Sequence, residues 1–149
     1  MLKEIFIIGI GGEGAQTIGE ILSISACIKN FATSFYPFYG SQMRGGESGC
    51  IIKIDTEGND ITNPTINIPD DFLILNDAFF DKYKKFASDT SKYYQIDNSN
   101  IKNKNIKLLK KYIDESKLFD EETIINAIKE KFKKEETYNK VIEVYKNEL

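Results

Sequence analysis

The chain has 149 residues, 41 % of them hydrophobic and 29 % charged, with a formal net charge of −3. That composition fits one soluble globular domain spanning 1–149 and is too acidic for a nucleic-acid binder. It contains no histidine and two cysteines, Cys27 and Cys50. This excludes a histidine-dependent triad, a histidine-ligated metal or haem, and an iron–sulfur cluster or four-thiolate zinc site held by this chain alone.

The N-terminal run Ile5-Phe6-Ile7-Ile8 is continuous and largely β-branched, which predicts a strand buried on both faces. It leads into the loop Gly9-Ile10-Gly11-Gly12-Glu13-Gly14. The apolar spacing of Ile18, Ile21, Leu22 and Ala26 then predicts a helix over 15–28, with Ala15 and Gly19 as small packing residues. Phe31 to Tyr36 reads as a second strand. Pro37 to Glu47 reads as a long loop with a helical turn, and Ser48 to Asp55 as a further strand. Thr56-Glu57-Gly58-Asn59 is a turn. A short strand is expected around Ile61, another over Asp70–Leu75, and a helix over 78–87. The polar stretch Tyr93–Asn105 reads as a surface connection.

The remaining chain is helical and rich in lysine. Ile106, Leu109 and Ile113 share one helix face, as do Ile124, Ile128 and Phe132, and Tyr138, Val141, Ile142 and Tyr145. Asp120 is placed to cap a helix whose first turn is acidic and whose last turn is basic, the order that the helix dipole favours. Strand–helix–strand alternation in the first half predicts a three-layer α/β/α fold. Its sheet should be mostly parallel and Rossmann-like, with a helical C-terminal part. No segment has the roughly 18 apolar residues of a membrane span. Two widely spaced cysteines and no signal-peptide pattern lead to the expectation of a cytoplasmic protein.

All ten glycines lie within the first 58 residues. The charge divides with them: residues 1–80 sum to −6 and residues 81–149 to +3. Two loops concentrate the information. Gly9, Gly11, Gly12 and Gly14 stand where a strand meets a helix, and there a backbone can approach a phosphate beside free helix N–H groups. A dinucleotide fold would also need an acid about 20 residues further on to hold the ribose. Residues 30–36 contain none. Tight strand-to-helix packing explains the same glycines equally well. The second loop is Tyr39-Gly40 followed by Arg44-Gly45-Gly46, where Arg44 is the only arginine. Its planar fork suits a carboxylate or phosphate, and a salt bridge to Glu13 or Glu47 is the structural alternative.

Taken together, Gly9-x-Gly11-Gly12-x-Gly14, Tyr39-Gly40, Arg44-Gly45-Gly46-x-Ser48, Asp60-Ile61-x-x-Pro64 and Asp70-Asp71-Phe72-Leu73-Ile74 resemble the gamma subunit of 2-oxoacid:ferredoxin oxidoreductases. The resemblance covers residues 1–77 in order and spacing. It continues more loosely through Leu108–Phe132 and Asn139. Glu13 stands where that family commonly has glutamine, and the chain is shorter than expected between about Tyr94 and Ile106. The resemblance implies an accessory subunit of an enzyme that converts a 2-oxoacid and CoA to acyl-CoA, CO₂ and reduced ferredoxin. Its partners would be alpha, beta and delta subunits, with ferredoxin reached through the complex. Thiamine diphosphate and iron–sulfur clusters would be held by the other chains. No catalytic residue is expected in this chain. The implied binding residues are Gly9, Gly11, Gly12, Gly14, Tyr39, Arg44, Gly45 and Gly46, near a subunit interface and the path of CoA. Two other readings remain: a stand-alone nucleotide- or CoA-binding α/β module, and an NAD-binding Rossmann domain.

Overall fold

The computed structural model describes residues 1–40, 45–96 and 101–147. Strand β1 (Leu2–Ile10) and helix α1 (Ala15–Ile28) follow the predicted order. Next come β2 (Ala32–Tyr39), β3 (Glu47–Asp55) and β4 (Asp71–Ile74). Two 3₁₀ helices (Asp77–Phe79 and Asp81–Phe86) lead to β5 (Lys92–Gln95). The chain then forms α2 (Lys104–Ser116), α3 (Glu121–Phe132) and α4 (Glu135–Lys146).

The strands make one sheet in the order β2-β3-β1-β4-β5. β1 pairs parallel with β4, and β4 parallel with β5. β3 runs antiparallel to both β1 and β2. Four of the five strands therefore share a direction, and β3 alone is reversed.

Alternation along the strands divides the core between two faces. Ile5 and Ile7 of β1, Cys50 and Ile52 of β3 and Leu73 of β4 face the side of the α-helices and share one core with them. Phe6, Ile8, Ile51, Phe72 and Ile74 point the other way, where the 3₁₀ segment supplies Phe80, Tyr83 and Phe79. The fold is α/β as expected, with a thick helical layer on one side and a thin 3₁₀ layer on the other. The thin layer stands where a helix over 78–87 was expected. Spacing of three brings Phe80 and Tyr83 onto the sheet, and three residues per turn is the 3₁₀ repeat. Asn76 opens the segment by accepting the Ala78 N–H at 2.9 Å.

Three other expectations changed. β2 extends through Pro37 to Tyr39, which an edge strand permits, and β3 begins at Glu47; residues 41–44 of the expected loop and its helical turn lie outside the described residues. The region around Ile61 forms no strand. Instead Lys53 Nζ donates to the Asn63 carbonyl at 2.7 Å, and the Glu4 carboxylate accepts the Asn67 N–H at 2.7 Å. Burial raises the Glu4 pKa, and the Asn67 N–H and Lys53 charge oppose that rise. Finally, β5 occupies the start of the expected surface connection and buries Tyr94 in the helical-side core. Part of that connection, 97–100, lies outside the described residues.

The C-terminal helices follow their stripes. Ile106, Leu109, Ile113, Ile124, Ile128 and Tyr145 are buried. Asp120 caps α3, accepting the Thr123 N–H at 2.7 Å and its hydroxyl at 2.8 Å. These bonds, helped by Lys29, lower the Asp120 pKa. The join between the helical half and the sheet is polar: the Tyr112 hydroxyl of α2 donates to Asp71 Oδ2 of β4 at 2.7 Å.

Candidate functional site

The glycine loop leaves β1 at its carboxyl end, a common ligand position in α/β sheets. Glu13 N–H donates to the Ile10 carbonyl at 3.0 Å, and the Glu13 carboxylate accepts the Ile10 N–H at 2.5 Å. Glu13 thus folds back on its own loop. Gly12 and Gly14 take φ values of +94° and +87°, in the left-handed region that glycine enters without a Cβ penalty. Gly14 is also the residue from which α1 starts. A Cβ at Gly9 would lie 3.2 Å from Leu75 Cβ, so that glycine serves close packing between β1 and the chain after β4.

The second loop meets the first directly: Gly11 N–H donates to the Gly46 carbonyl at 2.9 Å. Gly40 N–H closes the far side on the Glu47 carbonyl at 2.8 Å. Tyr39, 71 % exposed, donates its hydroxyl to Gln16 Oε1 at 3.0 Å, and Gln16 Nε2 reaches the Gly49 carbonyl at 3.3 Å. Gly9, Gly11, Gly12, Gly14, Tyr39, Gly45 and Gly46 therefore gather at one end of the sheet. Arg44 lies outside the described residues. Among the described residues, nothing lies within 4 Å of a Cβ added at Gly12 or Gly45, leaving their backbone approachable from that side.

Other parts of this region carried no sequence motif. Lys82 and Tyr83 of the second 3₁₀ helix bond the Glu47 carboxylate. Burial, with the Glu47 bond and charge, pushes the Tyr83 pKa upward. On the helical side, the starts of α1 and α2 face one another across an open cleft of about 510 Å³. Gly12, Gly14 and Thr17 line one wall, and Ile101, Lys104 and Asn105 the other. Lys104 Nζ donates to the Leu75 carbonyl at 2.7 Å. A polar run such as Asn103-Lys104-Asn105 gives no periodic signal, which is why sequence reading treats it as a connection.

Strand order and cysteine placement bear on two further readings. In a dinucleotide fold the ribose-binding strand lies next to β1, whereas β3 separates β1 from β2. The end of β2 is thereby moved to about 10 Å from β1 across the sheet. Cys50 is fully buried, its thiol directed to the Ala15 carbonyl at 3.7 Å with its pKa raised by burial, while Cys27 is exposed at the end of α1.

Fold and loops define an α/β module with two glycine loops joined at the carboxyl end of its first strand. The sequence matches the family described as pyruvate ferredoxin/flavodoxin oxidoreductase over residues 4–111, and the chain belongs to that family. It is 35 % identical over 83 residues to ketoisovalerate oxidoreductase subunit VorA of Methanothermobacter thermautotrophicus, a match covering 56 % of this chain and 17 % of that protein. The VorA of Methanothermobacter marburgensis is 35 % identical over 77 residues, covering 52 % and 16 %. The chain thus spans about a sixth of the curated relatives it matches.

Solved structures share the fold. Pyruvate oxidoreductase subunit PORC from Thermotoga maritima superposes with a TM-score of 0.72 at 16 % identity, covering 97 % of this chain and 93 % of that one. The gamma subunit of a keto/oxoacid ferredoxin oxidoreductase from Geobacter sulfurreducens gives 0.70 at 19 %, covering 96 % and 93 %. A 2-oxoglutarate:ferredoxin oxidoreductase from Magnetococcus marinus gives 0.71 at 16 %, covering 97 % of this chain and 30 % of that one. Among the described residues no helix is long and apolar enough to cross a membrane.

Proposed function

We propose that this chain is the gamma-type accessory subunit of a 2-oxoacid:ferredoxin oxidoreductase. The enzyme would convert a 2-oxoacid and CoA to acyl-CoA and CO₂, passing electrons to ferredoxin. The observation that carries the reading is family membership over residues 4–111. Alpha, beta and delta chains would hold thiamine diphosphate and the iron–sulfur clusters, which supply the decarboxylation and electron-transfer chemistry. The cysteine placement described above supports that division. Residues 1–77 and 78–149 would act as one unit in a cytoplasmic complex. Native purification tests the reading: the chain should elute with larger, iron-containing partners, and elution as a lone monomer would refute it.

Within that complex the joined loops would receive the phosphate end of CoA or a related nucleotide. The approachable backbone at Gly12 and Gly45 supports this. The chain's own part is to bind and orient: Gly12 and Gly14 by main-chain N–H groups at a helix start, Gly45 and Gly46 across from them, and Gly11 by tying the two loops together through its bond to the Gly46 carbonyl. Gly9 and Tyr39 would hold the frame, and Arg44 would add positive charge. Arg44→Ala should weaken CoA binding about tenfold or more in calorimetry, the scale of one lost charge-assisted bond. Unchanged affinity would remove Arg44 from the site.

A further inference from the structure

Glu47 stands at the junction of the two glycine loops. Its carbonyl takes the Gly40 N–H, its ladder partner is Ile10, and Gly46 just before it takes the Gly11 N–H. The main chain at 46–47 therefore sets β1, the glycine loop and the end of β2 against one another. The Glu47 side chain turns to the 3₁₀ face and is 9 % exposed. Both of its oxygens are held there. Lys82 Nζ lies 2.5 Å from Oε1, and the Tyr83 hydroxyl donates to Oε2 at 2.9 Å.

The clamp is itself supported. The Tyr83 ring packs on Phe6 of β1 at 4.7 Å and Phe38 of β2 at 5.7 Å between centroids. Lys82 Nζ lies 5.2 Å from the Tyr83 ring centre. A Cβ on Gly40 would come within 2.9 Å of Glu47 Cγ, so the loop end and this side chain fit without slack. An exposed ion pair ordinarily contributes little. Here the acceptor is withdrawn from water and its second bond comes from a packed phenol, the setting in which charge-assisted bonds fix a geometry.

We infer that Lys82 and Tyr83 are positioning residues. By gripping both oxygens of Glu47, they fix the start of β3 and with it the Gly46 carbonyl on which the Gly11 loop is set. The spacing of the two loops is thereby controlled from a 3₁₀ helix that contributes no residue to them. The inference deepens the binding role proposed above, and only its ligand arm rests on that role.

The Gly11 amide reports the spacing directly, through hydrogen exchange followed by NMR on the full chain. In Lys82→Met/Tyr83→Phe its exchange should rise about tenfold, with smaller rises in each single variant, as expected of a local opening. Amides of Ile5–Ile8 in the middle of the sheet should keep their wild-type rates. Tyr83→Phe keeps the packed ring and Lys82→Arg keeps the charge, so the latter should retain a near wild-type Gly11 rate. An unchanged Gly11 rate in the double variant would overturn the inference, as would an equal rise at Ile5–Ile8, which signals general loosening. CoA titrated into the same proteins should bind more weakly as the Gly11 rate rises. A Gly11 rise with no CoA binding even by the wild-type chain supports the positioning role and refutes the ligand reading instead.

Discussion

Replacing Tyr112 with phenylalanine should separate the helical half from the sheet at one defined bond. The Tyr112 side chain is fully buried, and its hydroxyl meets Asp71 Oδ2 at 2.7 Å. Asp71 is 1 % exposed, and the same oxygen lies 3.2 Å from Lys3 Nζ. Phenylalanine keeps the ring edge-on to Tyr94, whose centroid is 4.9 Å away, so packing changes little. What is lost is a hydrogen bond to a buried charge, about 1.5–3 kcal/mol. At about 3 °C per kcal/mol for a chain of this size, Tm should fall by roughly 5–9 °C. Lys3→Met should cost less alone than in the Tyr112→Phe background, because each partner partly covers for the other on Oδ2. Thermal unfolding of the four proteins in this cycle measures both effects. A Tyr112→Phe shift below about 1 °C, or strict additivity with Lys3→Met, would refute the view that this shared carboxylate ties α2 to β4.

Burial is the leading cause of raised pKa values at Tyr83, Tyr94, Tyr112 and Tyr145. Their folded values exceed those of the unfolded chain, so the stabilisation they give is complete below about pH 10 and is lost as pH rises through the folded values. Tyrosinate absorbance from these residues should therefore appear together with unfolding; a smooth titration of all eight tyrosines in the folded protein would contradict this. Gly49→Ala and Gly12→Ala should differ sharply. A Cβ at Gly49 lands on the Ile7 carbonyl oxygen and 2.6 Å from Phe38 Cζ, whereas one at Gly12 meets nothing within 4 Å. Urea midpoints should show a loss of about 3 kcal/mol or more for Gly49→Ala and about 1 kcal/mol, left-handed strain alone, for Gly12→Ala; equal losses would contradict the packing argument.

The parts of this fold that could be read beforehand are those with a period or a punctuating residue. Ile5–Ile8 announces a central strand, α1 matches its apolar spacing, and Asp120 opens α3 where its charge pattern places it. β5 escaped because a four-residue strand, Lys92-Tyr93-Tyr94-Gln95, is too short for alternation to register, and only Tyr94 turns into the core. The 3₁₀ pair escaped because Phe80 and Tyr83 fit a helix of either repeat over so few residues. At the candidate site the glycines were legible because each marks a backbone constraint. Lys82 and Tyr83 were not, since a bond to Glu47 across 35 or 36 positions depends on tertiary packing alone.

The reversal of β3 is what makes two distant glycine loops one place. Had the chain after β2 crossed over to a parallel strand, the stretch before β3 would enter at the amino end of the sheet. It would then lie opposite the Gly9–Gly14 loop. A hairpin instead brings β3 back from the carboxyl end of β2, so its first residue, Glu47, pairs with Ile10, the last of β1. Gly46 is then one residue beyond that pair and Gly11 one residue beyond it on the other strand, which is the geometry of the Gly11–Gly46 bond. The place of β3 between β1 and β2 also removes β2 from β1, and with it the usual position of a ribose-binding acid. One reversed strand, inserted between β1 and β2, thus displaces the strand a dinucleotide fold would use and brings a second glycine loop beside the first.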